Sequence, residues 1–175
     1  ILGKARYMAP EVVIGKSMPD KYTDRFSLSV VLFLLFYSNH PFEGSRVLAC
    51  PCMTEKYEKQ FYGSEPIFIY DKENSTNRPV RGVHNNVLRR WMVLPEIMRE
   101  TFTYEFSKEC LDNPSKRKLE RQWQSVIQKV RDILVVCPEC GEETFVNDDT
   151  NPQCMCCGKS FKVSGTLKIN DRNIL

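Results

Sequence analysis

The sequence predicts a mainly α-helical protein that ends in a small cysteine-ligated module. Three observations carry this expectation. The stretch Asp24 to Tyr37 is almost wholly apolar after Ser29, residues 118–134 repeat apolar side chains at intervals of three and four, and two Cys-x-x-Cys pairs stand near the C-terminus.

Composition bounds the class. At 175 residues the chain holds one ordinary domain and a small module. The 42% hydrophobic and 27% charged fractions match a folded water-soluble protein rather than a disordered or membrane one. A net charge of +3 does not by itself imply a nucleic-acid partner. The chain opens Ile-Leu-Gly-Lys without a secretory signal pattern and without methionine, as expected of a piece of a longer polypeptide. Paired cysteines with no secretory signal point to metal binding and a reducing, cytoplasmic setting.

Each element follows in order. Pro10 begins a short helix that Gly15 and Ser17-Met18-Pro19-Asp20 end. Thr23-Asp24 precedes the apolar run and Asn39-His40-Pro41 stops it, which predicts a helix over 23–38. From Val30 to Tyr37 such a helix is apolar on every face, so burial all round is expected. The run is too short for a bilayer, which takes about 20 apolar residues. Pro41 to Gly44 is a turn, and 45–59 reads as a weaker helix interrupted at Cys50-Pro51-Cys52. Residues 63–86 carry Gly, Pro and a polar run and read as a long surface loop with one extended piece, 66–70. Helical periodicity returns at Pro95 and runs to about Leu111, and Asp112 to Ser115 breaks it. The last helix, 118–134, presents Leu119, Trp123, Val126, Ile127, Val130 and Ile133 on one face. The boundary between the helical part, 1–134, and the cysteine module, 135–175, falls near Val135.

In that module, Cys137-Pro-Glu-Cys140-Gly and Cys154-Met-Cys-Cys157-Gly supply two thiolate pairs, and the glycine after each permits the turn that folds a pair onto one ion. Four thiolates suit a structural zinc ribbon with Cys137, Cys140, Cys154 and Cys157 as ligands, although iron shares this donor set and a disulfide or redox pair is the alternative. Cys156 is then a spare. Four protein ligands leave no open position for catalysis. Lys159, Lys162 and Lys168 with Phe145 and Phe161 are ingredients of a nucleic-acid face. Glu139, Glu142, Glu143, Asp148 and Asp149 dilute its positive field and argue against that partner.

No catalytic constellation is legible in residues 1–134. His40 and His84 read as packing or capping groups, Cys50-Pro-Cys52 has the wrong spacing for a redox pair, and no phosphate-binding glycine loop occurs. Four motifs in order do carry a resemblance. Gly3-Lys-Ala-Arg-Tyr7-Met-Ala9-Pro10-Glu11, Asp24-Arg-Phe-Ser27-Leu-Ser-Val30, His40-Pro41-Phe42-Glu43-Gly44 and Asn113-Pro114-Ser115-Lys116-Arg117 resemble the end of the activation segment, the central helix, its sequel and the late Pro-x-x-Arg motif of Ser/Thr protein kinases. The whole is similar to part of the C-terminal lobe of a bacterial-type kinase followed by a zinc-ribbon tail.

The resemblance implies that Glu11 pairs with Arg117, that Asp24 anchors the backbone of a catalytic loop, and that Gly3, Lys4 and Tyr7 belong to a wall receiving the protein substrate. It also implies ATP and Mg²⁺ in a complete kinase chain. Lys4 stands where the family has threonine, Ser29 where glycine is usual and Phe26 where tryptophan is usual. The glycine-rich loop, strand lysine, His-Arg-Asp loop and Asp-Phe-Gly site are absent from these residues, so the fragment alone is expected to be inactive. Two expectations compete: a fragment of an active kinase that joins an upstream half, and a non-catalytic pseudokinase-like scaffold whose zinc ribbon binds a protein partner or nucleic acid.

Overall fold

The computed structural model describes residues 3–146 and 152–162. They are mainly helical, in two compact units, Ile1–Lys129 and Val130–Leu175. The division lies slightly before Val135 because Val146 N–H donates to Ile133 O (2.8 Å) and the first strand begins at Leu134, which draws the end of the last helix into the cysteine unit.

The first unit is built around helix α2, Lys21–Tyr37. Its N-cap is Asp20, not the Thr23-Asp24 pair. The Asp20 carboxylate accepts from Tyr22 and Thr23 N–H, and Thr23 Oγ1 accepts from Asp20 N–H in a capping box. Ser38 closes the helix in the left-handed region (φ 51°), where its N–H returns to Leu34 O. Arg90 Nη1 secures that end by donating to Phe36 O (3.0 Å) and Ser38 Oγ (2.7 Å), a cation placed at the negative pole of the helix.

Burial all round is not what α2 shows. Phe26, Val30, Phe33 and Tyr37 face the core, whereas Val31 is 50% and Leu35 69% exposed. A helix apolar on every side therefore has one uncovered face in this chain. On the covered face Phe33 is the centre of an aromatic cluster. Its ring lies 4.6 Å from Tyr37, 5.1 Å from Phe102, 5.6 Å from Phe68 and 5.9 Å from Phe106, mostly edge to face.

Short elements complete this unit. A 3₁₀ turn, Ala5–Tyr7, precedes α1, Pro10–Val13. The interrupted 45–59 region forms α3, Ser45–Leu48, and α4, Glu55–Lys59, followed by a π-helical turn at Gln60–Ser64. The expected surface loop is an inward-packed one. Phe68, Ile69 and Asn77 are buried, and no strand forms over 66–70. Asn77 explains the difference: its Nδ2 donates to Phe42 O and Ile67 O while its Oδ1 accepts from Arg46 N–H. One amide thus satisfies three backbone groups that would otherwise be buried unpaired. The approach is so close that a Cβ on Gly44 would sit 2.0 Å from Asn77 O, which only glycine avoids.

Helix α5, Asn85–Val93, is absent from the sequence expectation. The single helix expected over 95–111 is two, α6, Glu96–Glu105, and α7, Lys108–Asp112, because Ser107 Oγ caps a new start at Cys110 N–H. Helix α8, Glu120–Asp132, is shorter at each end than 118–134 and seats Trp123 against Phe102 (5.0 Å between rings). No helix among the described residues is long and apolar enough to cross a membrane.

His40 supplies a pH-dependent component of stability. Its ring is fully buried, and desolvation pushes its pKa down to about 4 against Glu43, which favours the charged form. The unfolded chain, with an ordinary value near 6.5, takes up the proton first as pH falls. The contribution is complete above about pH 6.5 and is lost progressively toward about pH 4, by roughly 3 kcal/mol at most. Buried Glu105, raised by desolvation, contributes with the opposite sign. Urea unfolding of the parent and of His40→Asn across this range is expected to show the loss only in the parent.

Candidate functional site

The cysteine unit contains a cluster of four thiols placed to hold a metal ion. Strands β1, Leu134–Val136, and β2, Glu143–Phe145, pair antiparallel with Val135 opposite Thr144. They flank the first of two turns of the same construction. In one, Cys137 N–H donates to Glu142 O (2.9 Å) and Gly141 N–H to Cys137 O (3.0 Å); in the other, Cys154 N–H donates to Lys159 O (2.9 Å) and Gly158 N–H to Cys154 O (3.0 Å). Gly141 and Gly158 have φ of 76° and 72°, the left-handed values that each turn requires.

These turns bring the sulfurs of Cys137, Cys140, Cys154 and Cys157 within 4.8 Å of one another. Cys137 and Cys157 are 3.9 Å apart, and Cys140 and Cys154 3.6 Å. A tetrahedron of sulfurs around an ion at about 2.3 Å has edges of about 3.8 Å, so the cluster already has the size of a bound site. The N–H groups of Glu139 and Cys156 point at Cys137 Sγ (3.4 Å) and Cys154 Sγ (3.3 Å), as expected of donors that stabilise thiolates. Backbone donation from Cys157 and then Cys156 lowers the pKa of the Cys154 thiol, while its neighbour Cys140 is raised by desolvation and the adjacent sulfurs, so the cluster favours the thiolate at Cys154 first. Cys156 is exposed and outside the cluster.

Around the cluster, Phe161 is buried with Cys137 and Cys154, and Val135 and Val146 pack against them. Lys159 is paired with Glu139 (2.9 Å). Of the proposed nucleic-acid face, Phe161 is thus an interior residue and Lys159 is neutralised, while Lys168, like Asp148 and Asp149, lies outside the described residues.

In the helical unit, the residues singled out by the motifs lie on two sides of α1. Arg117, its side chain 1% exposed, donates from Nη1 to Glu11 Oε1 (2.7 Å) and from Nη2 to Glu11 Oε2 (2.9 Å). Nη1 also reaches Tyr22 O (3.1 Å), and the guanidinium lies over the Phe26 ring at 5.2 Å. Next to it, Glu105 accepts from Lys118 N–H (2.9 Å) and from Ser29 Oγ (3.1 Å), so the buried serine has a specific partner.

Gly3, Lys4, Tyr7, Asp24 and Ser27 line a cleft of about 290 Å³ with Met8 and Val12. Its wall is held firmly. Ser27 Oγ donates to Tyr7 O (2.7 Å), and His40 Nε2 donates to Arg6 O (2.7 Å), a tautomer required by Phe42 N–H donating to Nδ1. Arg6 forms a forked pair with Glu43 (2.6 and 2.8 Å), to which Tyr62 O–H also donates (2.7 Å). The sequence reading missed Arg6, Glu43 and Tyr62 in this role; Arg6 and Glu43 lie within the Gly3–Glu11 and His40–Gly44 motifs, whereas Tyr62 carried no signal. Lys4 and Asp24 are exposed, and neither side chain has a polar partner among the described residues. A larger cleft, about 640 Å³, opens between α1, residues 63–67 and α7, where Glu11 and Glu65 are already engaged by Arg117 and Arg46. Comparison with protein-family models, curated proteins and solved structures gives no match to this chain.

Two measurements check these sites. Arg117→Ala leaves Glu11 without its partner at a nearly enclosed site and is expected to lower unfolding free energy by about 3–5 kcal/mol, with Arg117→Lys recovering only part because it cannot fork. Elemental analysis of the purified chain is expected to find about one metal ion per molecule, absent from Cys137→Ser and Cys157→Ser, with release on acidification as the thiolates take up protons.

Proposed function

We propose that residues 3–129 are part of the C-terminal lobe of a Ser/Thr protein kinase and that residues 130–162 are a structural zinc ribbon attached to it. The observation that carries the reading is the buried fork between Glu11 and Arg117, residues 106 apart in sequence that the kinase motifs pair. Two further observations support it. Asp24 presents a free acceptor at the cleft, as an anchor for another segment's backbone requires. The exposed Val31 and Leu35 face of α2 suits a helix whose remaining cover comes from elsewhere in a complete lobe.

In this reading the chain positions rather than reacts. Phosphoryl transfer depends on placement and charge stabilisation around ATP and Mg²⁺, and the groups that hold these are to be supplied by an upstream half. Gly3, Lys4 and Tyr7 form the wall against which a protein substrate lies, Glu11 and Arg117 fix that wall to the late helices, and Asp24 orders the catalytic loop. The tetrahedral size of the cysteine cluster and its closed four-ligand set favour zinc in a structural role over a catalytic metal. Zinc then holds the second unit folded.

The test is an assay of radiolabelled phosphate transfer from Mg²⁺-ATP to Ser/Thr proteins by the chain extended with the coding region preceding Ile1. Transfer that is lost in Asp24→Ala supports the reading. A folded extended chain that binds a protein partner but transfers nothing favours the scaffold alternative, to which Lys4 in place of threonine already lends weight.

A further inference from the structure

The segment between α3 and α4 holds three sulfur donors in four residues, Cys50, Cys52 and Met53. Neither the zinc cluster nor the kinase reading uses them. We propose that Cys50-Pro51-Cys52-Met53 is a second metal site, one that takes a soft monovalent ion of the Cu(I) class.

The bridge is short and anchored at both ends. Ala49 N–H returns to Ser45 O and Cys50 N–H to Val47 O, so α3 delivers Cys50 in a fixed place. Thr54 caps α4, with Glu58 N–H on its carbonyl (2.9 Å). Within the bridge Pro51 locks its own φ and restricts Cys50 before it, which lowers the entropy lost when the donors are ordered. Cys50 Sγ folds over the following peptide and lies 3.2 Å from Cys52 O, on the residue that carries the second thiol. Cys52 is exposed, and the Met53 side chain beside it is 38% exposed, so an ion has access from solvent.

The donor set decides the ion. Both histidines lie elsewhere, and the carboxylate next in sequence, Glu55, is paired with Lys59 (2.8 Å). Two thiols and a thioether fall short of the closed four-ligand shell of a structural zinc, the thioether is too soft a donor to suit zinc well, and none of the three offers the oxygen ligands of magnesium or calcium. They do suit Cu(I), which soft thiolate and thioether ligands select. Binding displaces the two thiol protons to solvent; it changes no oxidation state and needs no other reactant.

The test is an anaerobic titration of the zinc-loaded chain with Cu(I) buffered by bicinchoninate, with a zinc indicator present. The first equivalent of copper is expected to bind without zinc release. In Cys50→Ser/Cys52→Ser that equivalent disappears, and any copper taken up displaces zinc from the cysteine cluster instead. Copper-edge X-ray absorption is expected to show only sulfur neighbours, three in the parent and two in Met53→Leu. Stoichiometric zinc release by the parent, unchanged copper binding in the double variant, or a shell containing nitrogen or four sulfurs overturns the proposal. Circular dichroism confirms that these surface substitutions leave the fold intact.

Discussion

A guanidinium placed almost wholly out of water is the constraint around which the helical unit is arranged. A guanidinium buried with its five N–H donors needs partners for them, so the fold must supply what solvent no longer does. It does so in large part, from three directions: the carboxylate of Glu11 from α1, the carbonyl of Tyr22 from the first turn of α2, and the face of Phe26 one turn further on, while Nε has no hydrogen-bond partner among the described residues. Glu105 adds negative charge nearby from α6 and holds the backbone at Lys118, immediately after the arginine. Both α1 and α6 are thereby tied to α2 by polar contacts as well as by apolar packing. Apolar burial around Phe33 provides the bulk of the attraction, and the charged group makes one arrangement of the pieces better than its neighbours.

The same logic extends to the segment before α1. Residues 4–8 bury little, yet the carbonyls of Arg6 and Tyr7 are both taken, by His40 and Ser27, and the Arg6 side chain is clamped by Glu43. Adjacent residues 6 and 7 are thus held from two parts of the chain, Ser27 on the second turn of α2 and His40 with Glu43 after its C-terminus. That gives the small cleft a wall held by side chains from two other segments.

How much of this was legible in the sequence depended on the range of the interactions. The two cysteine turns are set by residues at most five apart, and the pairs with their glycines were readable in full. α2 was readable from its composition, but its cap was misplaced, since Asp20 and Thr23 satisfy each other and leave Asp24 free. Its exposed face was not foreseeable, because composition reports how apolar a helix is and says nothing of what lies beside it. The loop expected over 63–86 misled for a related reason: polar Asn77 is buried by what its amide bonds, three backbone groups from other segments. α5 offered too few turns and a weak start at Asn85-Asn86. Arg6, Glu43 and Tyr62 came together through folding alone, with no spacing to announce them.

The separation between Glu11 and Arg117 also has a consequence in time. As the chain emerges during synthesis, Glu11 precedes its partner by 106 residues, about 5–20 seconds at ordinary rates of elongation. Throughout that interval the helices between them can gather apolar surface but lack the group that orders them, so the helical unit is expected to acquire its final arrangement late. The cysteine turns face no such wait: their contacts are local, and they close once the last thiol and an ion are present. A chain interrupted just before Arg117 would therefore be collapsed yet unlocked, the kind of species that chaperones and proteases recognise.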